Sequence, residues 1–244
     1  MDATRFEEGS HEFSNRPDQR RRRAAFRCHV SIPDRPNGHA VIVLQEIFGV
    51  TPQVRGVADR FAEDGYLALA PDLFWRAEPG LSLTHSKQDM ARAFGLLQAY
   101  DEGQGLDDIV LTAAHIRSLP GFNGKVAVAG MCLGGKLAYL AAARAPVDAA
   151  VSFYGVGIEK NLDLARAVRC PLMLHFGALD KYVAEPVRDQ IIQALEGLPN
   201  FVSHVYAGAD HGFYTRGEPA AIELARARTN QFLQQALGAQ PPVA

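Results

Sequence analysis

Cysteine is scarce in this 244-residue chain: Cys28, Cys132 and Cys170 are the only three, and no two stand in C-x-x-C spacing. An odd, widely spaced set does not make a disulfide framework and suits a reducing compartment. No apolar run reaches 18 residues, which argues against a helical membrane span. The N-terminus is polar and lacks the apolar stretch of a secretory signal, so a cytoplasmic location and no membrane partner are expected. A dominant charge is missing too. Lys and Arg number 25 against 27 Asp and Glu, a net charge of −2, so nothing steers the chain towards nucleic acid. Metal-ligand spacing such as H-E-x-x-H does not occur, and no metal or organic cofactor is expected.

What is present is a globular composition, 48% hydrophobic, on a chain long enough to bury a large core in one domain. Residues 1–22 read as a loosely ordered or surface-wrapped arm, residues 23–237 as a single domain and 238–244 as a tail. The one basic block, Arg20–Arg23, reads either as part of a solvated arm or as a contact for an anionic partner. A first strand is predicted between Ala24 and Ile32, followed by a turn over Pro33–Gly38. Short apolar runs follow: Ala40–Leu44, Leu67–Ala70, Val126–Ala129, Ala149–Phe153, Leu172–Phe176 and Phe201–Tyr206. Such runs suit strands covered on both faces. Between them lie residues at helical spacing: Leu106, Ile109, Ala113 and Ile116; Val187, Ile191 and Leu195; Ile222, Leu224, Ala225, Phe232 and Leu233. The alternation predicts an α/β fold, a mostly parallel sheet with helices on both faces. The irregular stretch Arg76–Lys87 reads as a loop over the site or as a plain surface connection.

In such sheets reactive groups gather beyond the carboxyl ends of the strands. After Val126–Ala129 comes Gly130-Met131-Cys132-Leu133-Gly134-Gly135, then a helical pattern. This is the strand, G-x-C-x-G, helix arrangement of a nucleophile elbow with cysteine in place of serine. The glycines let strand and helix pass closely, and the helix N-terminus at the sulfur predicts a thiolate. The bland alternative is a small buried hydrophobe in a glycine-rich turn. Asp180, just past Leu172–Phe176, is either the acid of a triad or a turn and N-cap aspartate. His211 follows the last strand in the loop Ala207–Phe213, and the order nucleophile, acid, histidine is that of the α/β-hydrolases. His175 and His204 lie within apolar runs and read as core or sheet-face residues. An oxyanion hole is expected from the backbone N–H groups of Leu133 and Ile47, the latter in the loop Gln45–Gly49.

Gln45-Glu46-Ile47-Phe48-Gly49-Val50, Pro71-Asp72-Leu73, Gly130–Gly135, Tyr154-Gly155-Val156-Gly157 and His211-Gly212-Phe213 together resemble the dienelactone hydrolase family (carboxymethylenebutenolidases), over roughly residues 25–236. The resemblance implies a cytoplasmic hydrolase, a monomer or homodimer, that opens a lactone or enol ester of the dienelactone-to-maleylacetate type in aromatic compound degradation. It implies Cys132 as nucleophile, His211 as general base and acid, Asp180 as the group orienting it, and an acyl-thioester intermediate. Glu46 is implied as a regulator that takes the thiol proton when substrate binds. The family often grips the substrate carboxylate with two arginines. Arg76 and Arg92 are candidates for the first; Arg216 is the candidate for the second, with Thr215 at the usual position. Gly212 follows His211 where some members carry Ser. The competing readings are an esterase or thioesterase of the same fold, and a thiol redox or ligand-binding module.

Overall fold

The structure is a computed structural model that describes residues 11–12 and 26–238; the rest of the N-terminal arm, including Arg20–Arg23, and the tail past Gly238 lie outside the described residues. The strands are β1 (His11–Glu12), β2 (Arg27–Ser31), β3 (Ala40–Leu44), β4 (Leu67–Pro71), β5 (Val126–Met131), β6 (Ala149–Phe153), β7 (Leu172–Gly177) and β8 (Phe201–Tyr206). They form one sheet in the order β1-β2-β4-β3-β5-β6-β7-β8. β2 runs antiparallel to β1 and β4. From β4 through β8 every pairing is parallel. The helices are α1 (Pro52–Glu63), α2 (Lys87–Gln98), α3 (Glu102–Ser118), α4 (Leu133–Arg144), α5 (Glu185–Leu195), α6 (Phe213–Arg216) and α7 (Pro219–Leu237), and a 3-10 segment spans Ile158–Ala167.

Side chains alternate across a strand, so a central strand must be apolar on both faces. β3 shows this directly. Ala40, Ile42 and Leu44 join the layer with Ile109 and Ile116 of α3, Leu137 of α4 and Ile191 of α5. Val41 and Val43 join the opposite layer with Val54 and Val57 of α1 and Phe232 and Leu233 of α7. β3, β5 and β6 are buried at every position. Each large aliphatic side chain so buried contributes about 1.5–3 kcal/mol. His175 is buried without penalty because both ring nitrogens have partners, Tyr206 Oη at 2.8 Å and Thr229 Oγ1 at 3.1 Å. Burial holds its pKa far below the ordinary histidine value, so it stays neutral.

The sheet changes winding direction between β3 and β5. The chain runs from β3 to β4 on one side, then returns to lay β5 on the other. Such a switch point opens a crevice at the carboxyl strand ends, where ligands of α/β proteins bind. Here those ends are Leu44, leading into Gln45–Gly49, and Met131, leading into Cys132.

Candidate active site

Cys132 sits at the switch point with φ 55° and ψ −111°. Among the described residues it and Tyr154 (φ 42°) are the non-glycine residues at positive φ. Each such conformation costs about 1–3 kcal/mol and persists only where surrounding structure enforces it. The enforcement is visible. Cys132 N–H donates to Phe153 O at 3.0 Å, and Cys132 O accepts from Lys136 N–H at 3.1 Å in the first turn of α4. Gly134 lets that turn lie on the end of β3: a Cβ there would stand 2.4 Å from Leu44 O and 2.7 Å from Gln45 O. Gly134 N–H instead donates to Gln45 O at 3.1 Å. That bond fixes the Gln45–Gly49 loop beside Leu133. Gln45 Oε1 also accepts from Leu73 N–H at 3.1 Å, tying the loop to the segment after β4.

Asp180 and His211 are brought together from two strand ends. Ala178 N–H donates to Tyr206 O at 3.0 Å and Leu179 N–H to Ala209 O at 2.9 Å, which locks the two loops to each other. Asp180 Oδ1 accepts from the N–H groups of Tyr182 (2.8 Å) and Val183 (3.1 Å). Its Oδ2 lies 2.8 Å from His211 Nδ1, and the Asp180 side chain is 1% exposed. A carboxylate on Nδ1 keeps the proton there and leaves Nε2 to act as a base. The imidazole sits between two aromatic rings, Tyr154 at 4.9 Å and Tyr182 at 4.8 Å.

Cys132 shares this end of the sheet electrostatically with both carboxylates. Its thiol pKa is raised well above the ordinary value by burial first, then by Glu46; the Leu133 N–H lowers it, Asp180 raises it and Arg216 lowers it. The helix N-terminus therefore loses to desolvation and two negative charges, and the resting group is a thiol rather than the thiolate that α4 alone predicts. The Leu133 N–H is directed at the sulfur. Ile47 N–H makes no backbone hydrogen bond among the described residues.

Glu46 is 3% exposed. Its charge is met by Arg216, whose Nη1 lies 3.3 Å and 3.2 Å from the two carboxylate oxygens. Arg216 therefore reaches the site although it stands one position past the expected place; Thr215 bonds its guanidinium at 3.1 Å and Tyr154 Oη at 3.5 Å. Arg76 and Arg92 are taken up elsewhere. Arg76 forms a two-pronged pair with the buried Asp108 (2.6 and 2.9 Å) and lies over Trp75. Arg92 pairs with Glu78 at the surface.

The stretch after Arg76 is neither free nor remote. Gly49 and Ser82 form an antiparallel bridge, Leu83 N–H donates to Phe48 O at 2.8 Å, and Val50 N–H donates to Leu81 O at 3.1 Å. Gly49 permits this, since it has φ 85° and a Cβ would stand 2.0 Å from Leu81 O. The same strap carries His85 onto Phe48, ring centroids 4.2 Å apart. Nothing in the sequence singled out His85, because neither its spacing nor a flanking motif marks it. A separate cleft of about 1110 Å³ runs along β2, lined by Arg27, His29, Arg55 and Asp59 among others; Cys132, Asp180 and His211 are not part of it. Among the described residues no group of three or more His, Cys, Asp or Glu side chains is arranged to hold a metal ion, and no helix is long and apolar enough to cross a membrane.

The dienelactone hydrolase family profile matches residues 26–237. The chain is 39% identical over 215 residues to a carboxymethylenebutenolidase of Pseudomonas sp. strain P51, covering 86% of this chain and 90% of that one. It is 34% identical over 213 residues to carboxymethylenebutenolidase 1 of Cupriavidus pinatubonensis, covering 85% and 91%. A Klebsiella pneumoniae crystal structure assigned to the dienelactone hydrolases superposes with a TM-score of 0.76 at 26% identity, covering 93% of this chain and 98% of that one. The architecture is thus the α/β-hydrolase fold. The matching profile, the two relatives and that neighbour agree with the arrangement at the sheet's switch point: the chain belongs to the dienelactone hydrolase family and is a hydrolase of ester bonds.

Proposed function

We propose that this enzyme opens a carboxylate-bearing lactone or enol ester, of the dienelactone-to-maleylacetate type, through Cys132 and an acyl-thioester. The observation that carries this reading is the Glu46–Arg216 pair at the same strand ends as Cys132, whose thiol pKa burial and Glu46 push up. A substrate carboxylate competes with Glu46 for the guanidinium, which suits carboxylates by its forked donors. Glu46, released from Arg216, becomes a base for the thiol proton. The thiolate attacks the carbonyl, and the developing oxyanion is met by the N–H groups of Leu133 and Ile47. Ring opening expels a stabilised enolate. His211, oriented by Asp180, then activates water and the thioester is hydrolysed. On this reading the thiol is reactive only with substrate bound, which protects it from oxidation between turnovers. A cytoplasmic role in aromatic compound degradation, with the enzyme as monomer or homodimer, fits that substrate.

The test is hydrolysis of cis- and trans-dienelactone by the purified protein, followed as loss of ultraviolet absorbance, beside p-nitrophenyl acetate. We expect lactone turnover to dominate and to fall by a factor on the order of 10⁴ or more in Cys132→Ala, while Cys28→Ala and Cys170→Ala retain it. Turnover of the neutral ester faster by orders of magnitude would move the assignment to an esterase of the same fold. Retained activity in Cys132→Ala would remove the cysteine from the chemistry.

A further inference from the structure

His85 is an exposed imidazole held in place at the edge of the site. Its ring packs against Phe48, centroids 4.2 Å apart and planes tilted by 46°. Phe48 belongs to the short loop that also carries Glu46 and Ile47, and the strap leading to His85 is bonded to that loop at Phe48, Gly49 and Val50. Partial burial and the Arg216 charge lower the His85 pKa, and Glu46 raises it. His85 thereby remains neutral at ordinary pH and offers one ring N–H.

Arg216 is not fully committed to Glu46. Its contacts of 3.2–3.3 Å are longer than the ~2.7–2.9 Å of a tight charge-assisted bond. Its side chain is 36% exposed, against 4% for Glu46. An anion arriving from solvent therefore meets Arg216 before it meets Glu46, and His85 is the exposed ring held on Phe48, two residues along the loop from Glu46. A carboxylate has about four lone-pair sites, more than one guanidinium fork fills, and an adjacent ring N–H supplies a further donor. Resting on the carboxylate-bearing substrate proposed above, we infer that His85 and Arg216 together form the recognition site for the substrate carboxylate, with His85 a specificity-determining residue that contacts it directly.

The experiment compares cis-dienelactone with 5-methylenefuran-2(5H)-one, the same type of unsaturated ring without the carboxylate. Each is used as substrate and as competitor of p-nitrophenyl acetate hydrolysis. His85→Phe keeps a ring on Phe48 but removes the donor; His85→Gln keeps an N–H donor. We expect His85→Phe to raise KM and Ki for dienelactone about tenfold, the loss of one hydrogen bond to a charged group. His85→Gln should stay within roughly threefold of wild type, and every variant within about twofold for the uncharged ring. An equal loss on both rings, no loss on either, or a wild-type protein that dienelactone does not inhibit overturns the inference. Inhibition by dienelactone without its turnover, with Ki still dependent on His85, strikes only the proposed lactonase function and supports the carboxylate site.

Discussion

Glu46 is a buried carboxylate with one guanidinium for company, and its influence on Cys132 has a definite sign. A negative charge beside a thiol disfavours the thiolate, and after burial it is the largest cause that raises the Cys132 pKa. Neutralising it in Glu46→Gln must therefore lower that pKa and increase the thiolate fraction of the free enzyme. The expected result is faster alkylation of Cys132 by iodoacetamide at pH 8 in the absence of substrate, together with slower dienelactone turnover because the thiol has lost its base. Rates of alkylation and turnover measured side by side check both halves. Unchanged alkylation would mean that Glu46 does not govern the sulfur. The family resemblance implies Glu46 as a regulator of the thiol, but the residues alone do not give the sign. The sequence placed Glu46 at a strand end and the sulfur at a helix N-terminus, which alone argues for a thiolate. Desolvation and the convergence of Glu46 and Asp180 reverse that sign, and both arise only when distant segments fold together.

At the scale of elements the sequence was most informative where packing is two-sided. The apolar runs from Ala40, Val126, Ala149 and Leu172 became strands with nearly the same bounds, since a central strand tolerates no polar face; the run from Phe201 became the edge strand β8, in which only Tyr206 is buried. Helix α2 was not foreseen. Only Ala93 within it is fully buried, so it carries no apolar stripe of the kind that marked α3, α5 and α7. Helix α1 was missed as well, although Thr51 caps it, accepting from Val54 N–H at 3.4 Å, and Pro52 opens it. The elbow itself was legible because its glycines are a steric requirement rather than a preference. Gly134→Ala tests that requirement. The added Cβ would meet two backbone oxygens closer than 3 Å, and neither can move without displacing the end of β3 or the Gln45 loop. We expect a destabilisation of about 1–3 kcal/mol, seen as a Tm lower by roughly 3–10 °C in thermal unfolding. Lactone turnover should fall as well, because Ile47 is displaced from Leu133. A variant with wild-type Tm and turnover would show that the close approach does not matter.

For the whole molecule, the order of strand ends was readable while the bracing of the site from behind was not. Cys132, Asp180 and His211 could be placed at one end of the sheet by counting strands, since each follows an apolar run. The pairing of Arg216 with Glu46 could not: the resemblance marks Arg216 only as a candidate for the substrate carboxylate, and its reach to Glu46 spans 170 residues of sequence and depends on how α6 is seated. The seating comes from the opposite layer. Arg60 of α1 lies over the Tyr214 ring at 5.1 Å and donates to Tyr214 O at 3.1 Å, a contact between residues 154 positions apart. Tyr214 stacks flat on Phe153 at 3.9 Å, and Phe153 O in turn accepts from Cys132 N–H. Arg226 of α7 holds Arg60 O and pairs with Asp64, so α1, α6 and α7 form one braced unit behind the guanidinium. Arg60 touches none of the reacting groups, and its effect should pass entirely through Arg216. In Arg60→Ala α6 loses its anchor at Tyr214. We expect KM for cis-dienelactone to rise severalfold, by about 1 kcal/mol of lost positioning, with kcat for p-nitrophenyl acetate held near wild type. Arg60→Lys, which retains the charge over the ring, should recover part of the loss. If instead kcat for the neutral ester falls as far as dienelactone binding, the brace supports the elbow through Phe153 rather than Arg216, and the coupling does not run through α6.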